Sequence, residues 1–133
     1  MSTADRAREH ATRGLRFFVV GTAAAATHYV VGLVAYTFFG AGPGLANVIG
    51  YLAGFPVSYG GHRYWTFETT RAPHREALPR FVLVQLSSFA ANQMLLLLAV
   101  RFLPLPFWFV LGAVLVIVAV STYVLSKIWV FRI

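Results

Sequence analysis

Residues 63–67 read Arg63-Tyr64-Trp65-Thr66-Phe67, and residues 127–131 read Lys127-Ile128-Trp129-Val130-Phe131. Each is a basic residue followed by an aromatic pair, and Trp65 and Trp129 stand 64 positions apart, as do Phe67 and Phe131. Working outward, the same offset relates Tyr59 to Tyr123, Arg16-Phe17 to Arg80-Phe81, Val20 to Val84 and Ala26 to Ala90. Leu33/Leu97, Ala35/Ala99 and Phe38/Phe102 keep it without a gap. A constant offset across the whole unit is the signature of a duplicated element.

What fills the unit is apolar. Hydrophobic residues make up 59% of the chain and charged ones 11%, whereas soluble domains carry about a quarter charged. Mean hydropathy is +0.71. Four uncharged runs, at 17–39, 45–61, 81–100 and 105–126, match the roughly 17–25 residues that cross a bilayer as a helix. The expected fold is an all-α membrane protein of four transmembrane helices, arranged as two repeated helical hairpins. Residues 1–15 form a basic tail and 16–133 the membrane domain. Within that domain, 16–67 is the first repeat, 68–79 a mobile link and 80–131 the second repeat.

The net charge of +7 does not mark a nucleic-acid binder, because its placement is topological. Ten of the eleven Lys and Arg residues lie on one side of the four spans, with Arg101 alone on the other. By the positive-inside rule both termini face the cytoplasm. The first apolar run is too long for a cleaved leader. With no cysteine, disulfides and thiolate metal sites are excluded.

Several polar residues are candidates for function. Arg16, Arg63, Arg80 and Lys127 share the cytoplasmic edge, paired by the repeat. They read either as a phosphate-binding cluster or as topogenic, snorkelling side chains. Trp65, Phe67, Trp129 and Phe131 read as interfacial anchors, with stacking on sugar rings as the alternative. His28 and Asn92 are repeat equivalents, each twelve residues from its Arg, about 18 Å along a helix. Gln85, Ser88 and Asn92 share one helix face, and Asn47 lies near the outer end of the second run. With Tyr59 and Tyr123, these residues could line a path for a polar head group or simply bond helix to helix.

Pro56 and Gly60-Gly61 are expected to loosen the second span. Gly21 to Ala25 offers a small-residue contact for another helix, or for a second copy in a homodimer. No Asp, Glu, Lys or Arg lies inside any run. That disfavours a small multidrug-type cation exporter, which needs an intramembrane acid. No nucleophile–base pair, phosphate loop or carboxylate pair is present, so no catalytic residue, cofactor or metal is expected and an enzyme is disfavoured.

Four spans, the Arg16-Phe17 opening, Asn47 early in the second span, and the endings Arg63-x-Trp65-Thr66-Phe67 and Lys127-x-Trp129-Val130-Phe131 resemble the GtrA-like family. The likeness covers residues 16–131; His62 and Tyr123 depart from it, since asparagine is usual at both. The resemblance implies a bacterial or archaeal cytoplasmic-membrane protein that flips a polyprenyl-phosphate-linked sugar, such as bactoprenol-linked glucose, for surface polysaccharide or lipid glycosylation. It also implies a glycosyltransferase partner. A non-transporting anchor or accessory subunit for such an enzyme is the alternative.

Overall fold

A computed structural model describes residues 2–66 and 74–125, and every regular element among them is helical. Helix α1 runs Thr3–Phe38, α2 Pro43–Gly61, α3 His74–Phe102 and α4 Phe107–Leu125; a five-residue π-helical turn, His62–Thr66, extends α2. By length and composition α1 and α3 are apolar enough to cross a membrane.

Helix boundaries repeat the sequence offset. Phe38 and Phe102 end α1 and α3, and Pro43 and Phe107 open α2 and α4, each pair 64 apart. The two hairpin turns have different chemistry at matching positions. The first uses Gly40, at φ 68, followed by Pro43 at the start of α2; glycine takes this left-handed conformation without steric cost. The second uses Pro104 and Pro106, neither of which can extend α3.

Two stretches are more regular than expected. The basic tail is not separate from the first span: α1 is continuous from Thr3. It opens on a capping box in which Ser2 Oγ accepts from the Asp5 backbone N–H and Asp5 Oδ2 accepts from the Ser2 backbone N–H. The Ser2 hydroxyl, which donates to Asp5 Oδ2 at 2.7 Å, and then the Ser2 backbone N–H hold the exposed Asp5 carboxyl below its usual pKa. At the other boundary α3 begins at His74, so the second half of the predicted link is helical. Helix α2 runs unbroken through Pro56.

The hairpins are packed unequally. Helices α1 and α2 approach closely because α2 presents small residues at every fourth position: Ala46, Gly50, Gly54 and Ser58, all buried. A Cβ on Gly50 would collide with the His28 backbone oxygen, and one on Gly54 would lie 2.9 Å from the Ala24 oxygen. Their counterparts in α4 include the bulkier Val110, Val114 and Val118, and α4 approaches α3 less closely than α2 approaches α1. The hydrophobic core gathers around Leu96, Val110 and Leu111, towards the Phe38 end of the bundle.

Candidate functional site

Three of the polar candidates meet at mid-length. His28 Nε2 donates to Asn47 Oδ1 at 2.7 Å, and Asn47 Nδ2 donates to Asn92 Oδ1 and to Gln93 Oε1, both at 2.7 Å. Gln93 Nε2 in turn donates to the Gly44 carbonyl at 3.2 Å. Asn47 is fully enclosed at 0% exposure, with Asn92 at 4% and His28 at 6%. A carboxamide offers two donor hydrogens and one oxygen, and at Asn47 all are engaged. The group is a clasp joining α1, α2 and α3, and its side chains are turned towards one another rather than towards a cavity.

A second cluster forms where α2 ends. The Gly60-Gly61 pair precedes the π-helical turn, a geometry that is rare and enriched at functional sites. Helix α1 holds this turn at three points. A Cβ on Gly61 would lie 2.6 Å from Val20 Cγ1, so the backbone at Gly61 packs directly on the Val20 side chain. Phe17 stacks on His62 with centroids 4.5 Å apart. Arg16 donates to the Trp65 carbonyl at 3.1 Å, and its guanidinium lies 5.5 Å from the centre of the Trp65 ring. His62 Nδ1 and Thr66 Oγ1, both buried, are 3.1 Å apart. Burial pushes the His62 imidazole down to about 4, so at neutral pH it is uncharged.

On the same turn, Arg63 carries a buried guanidinium nitrogen, Nη1, with no hydrogen-bond partner among the described residues. A desolvated cationic N–H left unpaired is costly, and an anion is one partner that would satisfy it. Planar, forked donors suit phosphate oxygens. Arg16 and Arg63, assigned from sequence to one edge, are thus brought to one corner, where Trp65, two residues past Arg63, is held by Arg16.

Other candidates are placed differently. Tyr59, Gln85 and Ser88 are half-buried and lie outside the clasp. Arg80 is in α3 and Tyr123 in α4, but their side chains, and all of Phe67, Lys127, Trp129 and Phe131, lie outside the described residues. Gln93 was absent from the predicted site although it completes the clasp. Its signal was only its position beside Asn92. An apolar groove of about 470 Å³ runs between α1 and α4, lined by Tyr29, Trp108, Gly112 and Val116 among others.

Long apolar helices, a sealed polar clasp and a cationic-aromatic corner at one end define an integral membrane protein. The chain belongs to the GtrA/DPMS transmembrane-domain family, whose model matches residues 16–131. Membership is consistent with a sugar-related membrane protein. Neither curated proteins nor solved structures gave a match.

Proposed function

We propose that this protein translocates a polyprenyl-phosphate-linked sugar across a bacterial or archaeal cytoplasmic membrane, gathering its phosphate at Arg63 and Arg16. Arg80 and Lys127, their repeat partners, would complete the basic rim. The observation that carries this reading is the buried Nη1 of Arg63, without a partner among the described residues. Four spans with both termini in the cytoplasm would place that rim on the inner face, where such lipids are made.

Outward movement of one negative charge is favoured by an inside-negative potential, by about 2.3 kcal/mol per 100 mV. Synthesis inside and consumption outside then drive net flux without a coupling ion. Because Asn47, Asn92 and His28 are bonded to one another, a head group can pass them only when the clasp opens. Proteoliposomes containing the purified chain should flip the lipid with no proton gradient, and Arg63→Ala should slow flipping at least tenfold. Undiminished flipping in that variant would remove the phosphate role.

One feature favours the accessory-subunit reading. Helix α1 extends thirteen residues, Thr3 to Leu15, before Arg16, and these are largely exposed, a projection of about 20 Å that a glycosyltransferase could grip. Co-purification with such an enzyme, together with no flipping by the isolated chain, would select it. A homodimer is compatible with either reading.

A further inference from the structure

Between the clasp and the basic corner, α2 and α3 face each other along a seam that the hydrophobic core does not fill. Among the described residues, the buried hydrophobic side chains on this side of the clasp are Val20 and Val114, from α1 and α4. Neither α2 nor α3 contributes one. What α2 contributes is a row of half-buried rings at four-residue steps. Tyr51 and Phe55 have centroids 6.3 Å apart, and Phe55 and Tyr59 lie 6.4 Å apart with planes within 3° of parallel. Arg63 is the next residue at that spacing.

The facing side of α3 is fixed by two contacts. Asn92 bonds Asn47, and Phe89 packs on Tyr51 with centroids 4.3 Å apart and ring planes tilted by 31°. The helices are antiparallel in the seam, so one further turn towards the corner brings Gln85 level with Phe55. Two hydroxyls at comparable depth are satisfied within their own helices: Thr27 of α1 donates to the Ala23 carbonyl at 2.8 Å and Ser87 of α3 to the Leu83 carbonyl at 3.0 Å. Gln85 has no such bond, and its half-buried amide has no hydrogen-bond partner among the described residues. An amide at hydrocarbon depth needs a polar partner. An amide opposite a row of aromatic faces suits a group that is apolar on its flat side and hydroxylated at its rim.

We infer that Tyr51, Phe55 and Tyr59, with Gln85 opposite, form the contact surface for the sugar ring of a lipid-linked sugar whose phosphate sits at Arg63. This rests on the function proposed above and adds the residues that read the sugar. The rings take the C–H face of a pyranose, and the Gln85 amide, both donor and acceptor, takes its hydroxyls. The isoprenoid stays outside, in hydrocarbon. Because the clasp closes the deep end of the seam, the site is a loading station on the inner side rather than an open channel.

The test compares two probes on the purified full chain in lipid nanodiscs: polyprenyl-phosphate glucose and bare polyprenyl phosphate. The native chain should bind the sugar lipid more tightly. Phe55→Leu and Gln85→Leu should each weaken the sugar lipid about tenfold and leave the bare lipid unchanged, the loss of one good contact. Arg63→Ala should weaken both probes. Phe55→Tyr keeps the ring and should bind as the native chain does, which guards against a Leu variant that fails to fold. Equal native affinity for the two lipids, or seam variants that weaken both alike or neither, overturns the seam assignment while leaving Arg63 intact. If the native chain binds neither lipid, the seam and the proposed function fall together.

Discussion

His28 and Asn92, 64 positions apart and equivalent in the repeat, hold opposite ends of one carboxamide: Asn47 accepts from the first and donates to the second, each at 2.7 Å. The repeat partner of Asn47 is Leu111, also at 0% exposure, so the duplicated position has kept its burial and exchanged its chemistry. Asn47→Leu would copy that exchange and strand His28, Asn92 and Gln93 without their partner. An average interhelical hydrogen bond in a membrane is worth about 0.6 kcal/mol, but a buried polar group left unpaired costs about 1–3 kcal/mol. A loss in the upper range is expected, read as a lower thermal midpoint in detergent. An unchanged midpoint would mean that the stranded groups find other partners.

Small-residue contacts give a sharper comparison, because two glycines face backbone and a third faces open space. Gly50→Ala and Gly54→Ala drive a methyl against the carbonyls of His28 and Ala24, and overpacking of this kind costs about 1–3 kcal/mol. Gly21 has nothing within 4 Å, so Gly21→Ala should be neutral or stabilise α1 by roughly 0.5–1 kcal/mol. Thermal midpoints of the three variants decide it. If Gly21→Ala instead lowers stability and dissociates an assembly on size-exclusion chromatography, that face of α1 is the contact between copies.

The architecture was legible because a duplication prints its period on both composition and turns, and the helix ends at Phe38/Phe102 and Pro43/Phe107 keep that period. Which helix faces meet was not legible. Gly21-to-Ala25 and Gly50-to-Gly54 are the same motif in sequence, and only the second forms the close approach to α1, since a single chain does not say which side of a helix its neighbour occupies. At the clasp, depth arithmetic put His28 and Asn92 level, but that they share Asn47 is a tertiary fact. Gln93 lies off the Gln85–Ser88–Asn92 face, so its spacing carries no sign of the clasp. It is needed because Asn47 Nδ2 has two hydrogens to place. The Arg63 corner was anticipated as charge at an edge. That one of its nitrogens is desolvated and unpaired among the described residues could be learned only from the packing of α1 against the π-helical turn.

Topology can be tested directly because the chain holds no cysteine. Ser2→Cys lies in the cap of α1 and Gly42→Cys in the first hairpin turn, where a side chain meets nothing within 4 Å. In intact cells an impermeant thiol reagent should label Gly42→Cys and spare Ser2→Cys until the membrane is opened. The reverse pattern would place the basic rim outside and remove the proposed loading face.

The corner should also respond to acid. His62 lies one residue past the second predicted span, stacked on Phe17 and beside Thr66, with Arg63 next in sequence and Arg16 next to Phe17. Its folded-state value of about 4 lies below the ordinary 6.5, so the unfolded chain binds more protons between those limits. Stability from this group is therefore full above pH 6.5 and declines as pH falls towards 4. Thermal melts across that window should show a fall that His62→Gln flattens, and equal slopes in the two proteins would assign the acid response elsewhere.

Trp65 contributes to the same corner without carrying charge. It holds Arg16 by its carbonyl and by its ring face, and the second of these contacts is lost in Trp65→Leu. A cation–π pair at a partly exposed site is worth about 0.5–1 kcal/mol, so polyprenyl phosphate should bind roughly two- to fivefold more weakly. Trp65→Phe keeps a ring face and should recover part of the loss. Arg16→Ala combined with Trp65→Leu should be little worse than Arg16→Ala alone, because the ring then has no cation to position. Additive losses in that double variant would instead show that Trp65 touches the lipid itself, as an anchor or as a stacking surface of its own.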